Sequence, residues 1–339
     1  MIDRVRPAAA LALVVLLTGA GTGCGRSSSP ANPTTTTGPA AAETPSPDSI
    51  PIRIPDGKIA FGCHLDEAHS SGDICISRVD GGGLKRLTDG PANEFDPSWS
   101  PDGSRVAFRS APHPGAAAIG RSDIWVVNTD GTGARNLTDH PQAANWSPAW
   151  SPDGRHIAYY SEEGGRPGLY LMGTDGGRST RILDGDAEYP CWSPDGTRLA
   201  FMSLGFPPGG SSSSYDIYVV DANGTGLRQL TDLPGEDGWP AWSPDGRTIA
   251  FDHEVSPTDS QFVYATYLVG ADGTSPHPIT PVDGRLSFDY PDWSRDGSLI
   301  LFSGYPPDGS AGGGMFIMRS DGSAITRIQP DGVSPVWEP

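Results

Sequence analysis

One string, Pro-x-Trp-Ser-Pro-Asp-Gly followed two residues later by an aliphatic-Ala-aromatic run, recurs along the chain and constrains its fold more than any figure of composition. Near-complete copies begin at Pro97, Pro148, Pro190 and Pro240, a degenerate copy at Pro291, a headless copy at Pro55 and a tail copy at Pro335. The repeated tryptophans Trp99, Trp150, Trp192, Trp242, Trp293 and Trp337 are separated by 51, 42, 50, 51 and 44 residues. A period of this size implies stacked or radial repeats, and four short strands per unit imply a propeller.

Within a unit, apolar runs rich in Val, Ile, Phe, Tyr and Trp alternate with turn residues. In unit two, strand A holds Trp99, the turn Ser100-Pro101-Asp102-Gly103 leads to strand B at Val106-Ala107-Phe108, strand C covers 123–127, and strand D ends at Asn136-Leu137-Thr138 after the Asp130-Gly131 turn. The turn between strands C and D recurs at Asp80-Gly81, Asp175-Gly176, Asn223-Gly224, Asp272-Gly273 and Asp321-Gly322. The expected fold is therefore all-β: a six-bladed propeller of four-stranded antiparallel blades over residues 51–339. Two segments compete for the inner strand of blade one. Trp337 closes the ring from the C-terminus under one reading, while residues 51–57 place Arg53 in the tryptophan slot under the other. A buried arginine is the poorer occupant, and a C-terminal closing strand also removes exposed sheet edges.

The Trp-Ser-Pro-Asp-Gly repeats, the Leu-Thr-Asp strand endings and the closing Pro-Val-Trp-Glu-Pro resemble the C-terminal propeller of the TolB family. The resemblance implies a TolB-like propeller. TolB proper carries a further N-terminal α/β domain that communicates with the Tol machinery, and its propeller mouth binds the peptidoglycan-associated lipoprotein Pal. In place of that domain this chain shows only a linker, which puts membership of a Tol system in doubt.

Residues 1–24 read as a lipoprotein-type signal: arginines at Arg4 and Arg6, a short apolar stretch over 8–18, and Cys24 as the lipidated residue. Gly21 stands where such signals usually have Leu, so cleavage without lipidation is the alternative. Residues 25–50, rich in Ser, Thr and Pro, read as a disordered tether. Cys63 follows strand B of blade one and Cys75 lies in strand C, so the two are expected to form a disulfide, the alternative being two separate buried thiols, while Cys191 takes a small-residue position of the repeat.

Forty-one acidic against 23 basic residues leave a formal charge of −18, although eleven of the acids lie in the repeated turns and shape backbone. With no basic stripe and an acidic field, nucleic acid is excluded as a partner. There is no Gly-x-Ser-x-Gly elbow, His-Glu-x-x-His, Cys-x-x-Cys or phosphate loop.

Length variation is confined to the face carrying the B to C loops, about 62–72, 109–121, 202–214 and 252–262, and the D to A crossings. The crossings pair acids with aromatics: Glu94, Phe95 and Asp96; Asn145 and Trp146; Glu188 and Tyr189; Asp237 and Trp239; Asp289 and Tyr290. This ring suits a cationic or amphipathic partner through cation–π contact and charge complementarity, whereas the plainer reading wedges the aromatics between blades. The function expected is an extracytoplasmic, lipid-anchored, monomeric module that docks a cell-envelope protein or peptidoglycan-associated partner on the loop face and channel mouth. The alternative is a metal-dependent carbohydrate lyase or hydrolase with a divalent cation in the channel. No residue set is singled out for a metal, and His64, His69, His113 and His253 lie in or near the B to C loops.

Overall fold

Every complete Ser-Pro-Asp-Gly turn is held by the same small set of bonds. Ser100 Oγ donates to Asp102 Oδ1 at 2.6 Å and accepts the Arg105 amide at 2.9 Å, and the serine–aspartate bond recurs at Ser151–Asp153, Ser193–Asp195, Ser243–Asp245 and Ser294–Asp296. The glycine is obligatory because Gly103 has φ 69°, in the left-handed region. These bonds favour the ionised carboxylate. The serine hydroxyls first, then the amides and side chains of Ser104 and Thr197, hold Asp102 and Asp195 down at about 2.

The computed structural model describes residues 52–63, 72–112, 121–139, 143–206, 214–255, 262–307, 313–329 and 331–339. Residues 50–339 form one compact unit. The signal over 1–24, Cys24 and the tether over 25–50 lie outside the described residues, as do most of the B to C loops and His64, His69 and His113. Among the described residues no helix is long and apolar enough to cross a membrane.

Six four-stranded antiparallel sheets follow one another around the ring. In blade two the strands run Asn93–Trp99, Arg105–Ala111, Asp123–Asn128 and Arg135–Asn136 from the inside out. The outermost strands are short, two residues in four of the blades, which leaves little unpaired edge. Where they stop, the threonine of the Leu-Thr ending takes over. The hydroxyl oxygens of Thr88, Thr138, Thr231 and Thr280 accept the amides of Ile74, Ile124, Ile217 and Thr266 at 2.8–3.1 Å.

The aromatic that ends each Ala-aromatic or Leu-aromatic pair is the core residue of its blade. Phe61, Phe108, Tyr159, Phe201, Phe251 and Phe302 are all buried. Each of six apolar clusters draws on two consecutive blades; Trp150, Ile157 and Tyr159 of blade three, for example, pack on Ile124, Val126 and Leu137 of blade two. The motif tryptophans tie the inner strands together. Indole N–H groups of Trp99, Trp192, Trp293 and Trp337 donate to the carbonyls of Val336, Ala149, Ala241 and Asp292 in the preceding blade, at 3.1–3.2 Å.

The ring closes from the C-terminus. Val333–Trp337 is the inner strand of blade one, beside Lys58–Cys63, with Ile59 opposite Trp337. The Glu338 amide donates to the Lys58 carbonyl at 2.9 Å and Lys58 pairs with Glu338 at 2.8 Å, so the two ends of the propeller are joined there. Arg53, the rival for this slot, is exposed and outside any strand. Cys63 and Cys75 are disulfide-bonded across the first two chain-order strands of that blade.

Candidate functional site

Proline interrupts each inner strand. Lacking an N–H, the first proline of the motif cannot donate to the ladder, and the register shifts there: between Phe95 and Ser98, Trp146 and Ala149, Glu188 and Cys191, Gly238 and Ala241, and Asp289 and Asp292. In all six blades the residue before the proline adopts positive φ: Asp96 53°, Ser147 53°, Tyr189 50°, Trp239 49°, Tyr290 58° and Ser334 50°. None is glycine. Side chains avoid this region, a residue before proline ordinarily prefers extended backbone, and each such position costs about 1–3 kcal/mol.

These six residues line a cavity of about 310 Å³ along the axis of the ring. Tyr189, Trp239 and Tyr290 gather there, with ring centroids 5.6 Å apart for Tyr189–Trp239, 5.1 Å for Trp239–Tyr290 and 6.3 Å for Tyr189–Tyr290. Among the described residues the Trp239 indole N–H has no hydrogen-bond partner. Across from them stand Asp96, Ser147 and Ser334. Burial raises the Asp96 carboxyl, and the Arg109 guanidinium with the Ser147 amide and hydroxyl opposes that rise. The cavity lining also includes Pro152 and Pro339, both exposed, so the cavity reaches the surface on the side of the Ser-Pro-Asp-Gly turns.

The acid and aromatic residues singled out in the sequence separate into three tiers, and this corrects the expectation of one ring on crossing loops. The physical reason is that the inner strands start earlier than the tryptophan suggests, at Asn93, Asn145, Glu188, Asp237 and Ser287, so these residues are strand rather than crossing. Asp96, Tyr189, Trp239 and Tyr290, the residues directly before proline, face the channel. One position earlier stand Phe95, Trp146, Glu188 and Asp289. Trp146 stacks on Tyr160 at 4.5 Å under Arg109, and Asp289 accepts the Tyr305 hydroxyl. A further position back, Glu94, Asn145 and Asp237 are buried between blades. Asn145 bonds Ser122 of the preceding blade and accepts from the Ser161 hydroxyl at 2.6 Å, and Asp237 lies 2.6 Å from His253 Nδ1. His253, placed near a loop by the sequence, is a buried strand residue.

Burial lifts several of these acids. Desolvation pushes Glu94 and Glu188 up to about 7, opposed by hydrogen bonds from Thr88 and from Tyr215 and Trp146 respectively. Asp252, on the second strand of blade five, is raised well above the ordinary range by burial and by Asp289, which burial lifts to about 6. Asp252 Oδ2 accepts the Tyr290 amide at 2.8 Å, which ties this acid pair to the channel tier.

Sequence reasoning missed Ser147 and Ser334, although aligning the repeats on their proline puts them in the same column as Tyr189 and Trp239. It also missed Arg109, Asp252 and Tyr305, which come from second strands and carry no repeat signal. Among the described residues no three His, Cys, Asp or Glu side chains are grouped to hold a metal ion.

Residues 115–205 match the family described as TolB beta propeller domain. The chain is 36% identical over 90 residues to the uncharacterized peptidase YuxL of Bacillus subtilis, covering 26% of this chain and 14% of that protein. It is 33% identical over 136 residues to a protein TolB homolog of Chlorobium luteolum, covering 30% and 31%. The chain thus spans less than half the length of either relative. TolB from Acinetobacter baumannii has a similar fold, with TM-score 0.66 and 22% identity over 84% of this chain and 67% of that one.

Proposed function

The chain carries a TolB-like six-bladed β-propeller, and on that premise we propose that it is an extracytoplasmic binding module, lipid-anchored through Cys24, that takes a segment of a cell-envelope or peptidoglycan-associated protein into the channel. The observation that carries this reading is the pre-proline ring. Tyr189, Trp239 and Tyr290 hold a costly backbone conformation in a slot that Ser147 and Ser334 fill equally well. Strained residues with large side chains concentrated at one cavity are characteristic of ligand sites. Rigid aromatics supply contact area at little entropic cost, and Asp96 with the overall charge of −18 favours a basic or amphipathic segment.

The test is crosslinking on intact cells followed by capture, comparing the natural chain with Trp239→Ser and Tyr290→Ser. Each variant should weaken the purified partner complex by about 2 kcal/mol, roughly thirtyfold, while the melting curve remains cooperative. In the same cells Cys24→Ala should release the protein from membranes or leave an unprocessed precursor. Metal-dependent turnover of an oligosaccharide by the purified protein, with capture unchanged in the ring variants, would overturn the proposal in favour of a lyase or hydrolase.

A further inference from the structure

The seam between blades two and three holds a second cavity, of about 560 Å³, whose chemistry is opposite to that of the chain as a whole. Arg166 follows the short 3-10 turn Glu163–Gly165, Arg178 belongs to the connection between the third and fourth strands of blade three, and Arg181 lies on the outer strand Thr180–Asp184. All three line this one space. Arg181 pairs with Asp184, and among the described residues Glu163 is the one carboxylate in the lining. Among the described residues neither Arg166 nor Arg178 has a carboxylate partner, although acids outnumber bases by 41 to 23 in the chain.

The surroundings position these guanidinium groups. The Tyr170 hydroxyl donates to the Arg166 carbonyl at 3.0 Å and fixes the backbone that carries that side chain. Tyr159 is buried beside Ser179, and Thr138 and Asn145 add polar groups to the wall. None of the three arginines lines the central channel. Planar guanidinium groups are the side chains best suited to carboxylate and phosphate, and a cavity of several hundred Å³ holds a ligand of small-molecule size.

We propose that this seam cavity binds a small hydroxylated ligand bearing an oxyanion, of the class of a sugar carrying a carboxylate or phosphate. Titration calorimetry on the purified protein at low salt, with glucose 6-phosphate, glucuronate and glucose as probes, tests it. At least one anionic sugar should bind while glucose does not, and the tighter of the two anions identifies phosphate or carboxylate as the group preferred. Arg166→Gln combined with Arg178→Gln should lower that affinity at least about tenfold. Both side chains are exposed, so the melting temperature should not change. Arg155→Gln, an exposed arginine on a turn of the same blade, should leave binding intact. No binding by either anion, equal binding of glucose, an unaffected double variant, or an equal loss in Arg155→Gln would each overturn the proposal.

Discussion

Blades one to three and blades four to six build the same bulge with different side chains. The backbone is nearly identical, with φ between 49° and 58° before all six prolines, yet one half of the ring presents Ser334, Asp96 and Ser147 and the other Tyr189, Trp239 and Tyr290. A feature common to all six blades belongs to the architecture. A feature confined to one half is not required by it. The bulge is therefore the fold's way of accommodating proline in an inner strand, whereas the aromatic cluster is an addition that the fold does not need. The difference also shows in electrostatics. Of the carboxyls lifted to about 6 or 7, Glu188, Asp289 and Asp292 belong to the aromatic half and Glu94 alone to the other.

The comparison assigns the small half to architecture, and its sharpest consequence concerns ring closure. Deleting residues 334–339 removes Trp337, the Lys58–Glu338 pair and the inner strand of blade one together. Loss of a buried tryptophan alone costs about 3–5 kcal/mol, and the deletion opens sheet edges as well. Deleting Arg53 and Ile54, both exposed, should cost far less. Urea denaturation of the two truncations measures the difference, and the reverse ranking would break the assignment.

The aromatic half offers the next largest effect. Trp242 is buried in the seam of blades four and five, so Trp242→Ala should cost about 3–5 kcal/mol. Trp239 sits only three residues away but in the strained slot. Trp239→Ser installs the residue that blades one and three use there and should cost less than half as much, because the Trp239 side chain is only half-buried and borders the open channel. Equal losses in thermal denaturation would show that the aromatic cluster is structural after all.

The repeat made blade number, turn chemistry and closure by Trp337 readable before any coordinates, because each rests on residues that recur in one column. Ser100, Asp102 and Gly103 could be assigned to a turn since the serine and aspartate side chains and the glycine amide all bond within five residues of themselves. The channel site was legible only in part. Glu94, Phe95 and Asp96 are adjacent, polar or aromatic, and followed by proline, so they read as a crossing loop, yet Glu94 is buried beside Thr88 of blade one while Asp96 lines the channel beside Ser147. Strand periodicity fails at such a place because the bulge shifts the alternation of faces by one residue. Partners from second strands, such as Arg109 and Asp252, are brought in by tertiary packing alone.

Stability against pH should separate the halves further. A buried carboxyl whose folded pKa is raised stabilises fully below its unfolded value near 4, and that stability is lost as pH rises through the folded value. For Asp289 the window runs from 3.8 to about 6, and for Glu94 and Glu188 from 4.5 to about 7. The turn carboxylates Asp102 and Asp195 act in the opposite sense, losing their contribution as pH falls toward about 2. Thermal stability should therefore peak near pH 4 and decline toward pH 7. Asp252→Asn removes a desolvated carboxyl and its repulsion with Asp289 and should stabilise the protein at pH 7 while changing little at pH 4. Equal effects at both pH values would remove the acid pair from the account.

The smallest predicted effect tests how the two halves align their motif tryptophans. In blades two and three, Ser98 Oγ accepts the Trp150 amide at 3.1 Å; in blades four and five, Cys191 Sγ accepts the Trp242 amide at 3.5 Å from the same position of the repeat. Cys191 is a free thiol, and burial pushes it up to about 12, so it stays protonated and serves as a weak acceptor rather than a nucleophile. Cys191→Ser reproduces the arrangement of the other half and should change stability by no more than about 0.5 kcal/mol. Cys191→Ala leaves the Trp242 amide without an acceptor and should cost about 1 kcal/mol. If alanine proves as harmless as serine, the side chain before the motif tryptophan is filler in blade four, and the likeness between the two halves stops at the backbone.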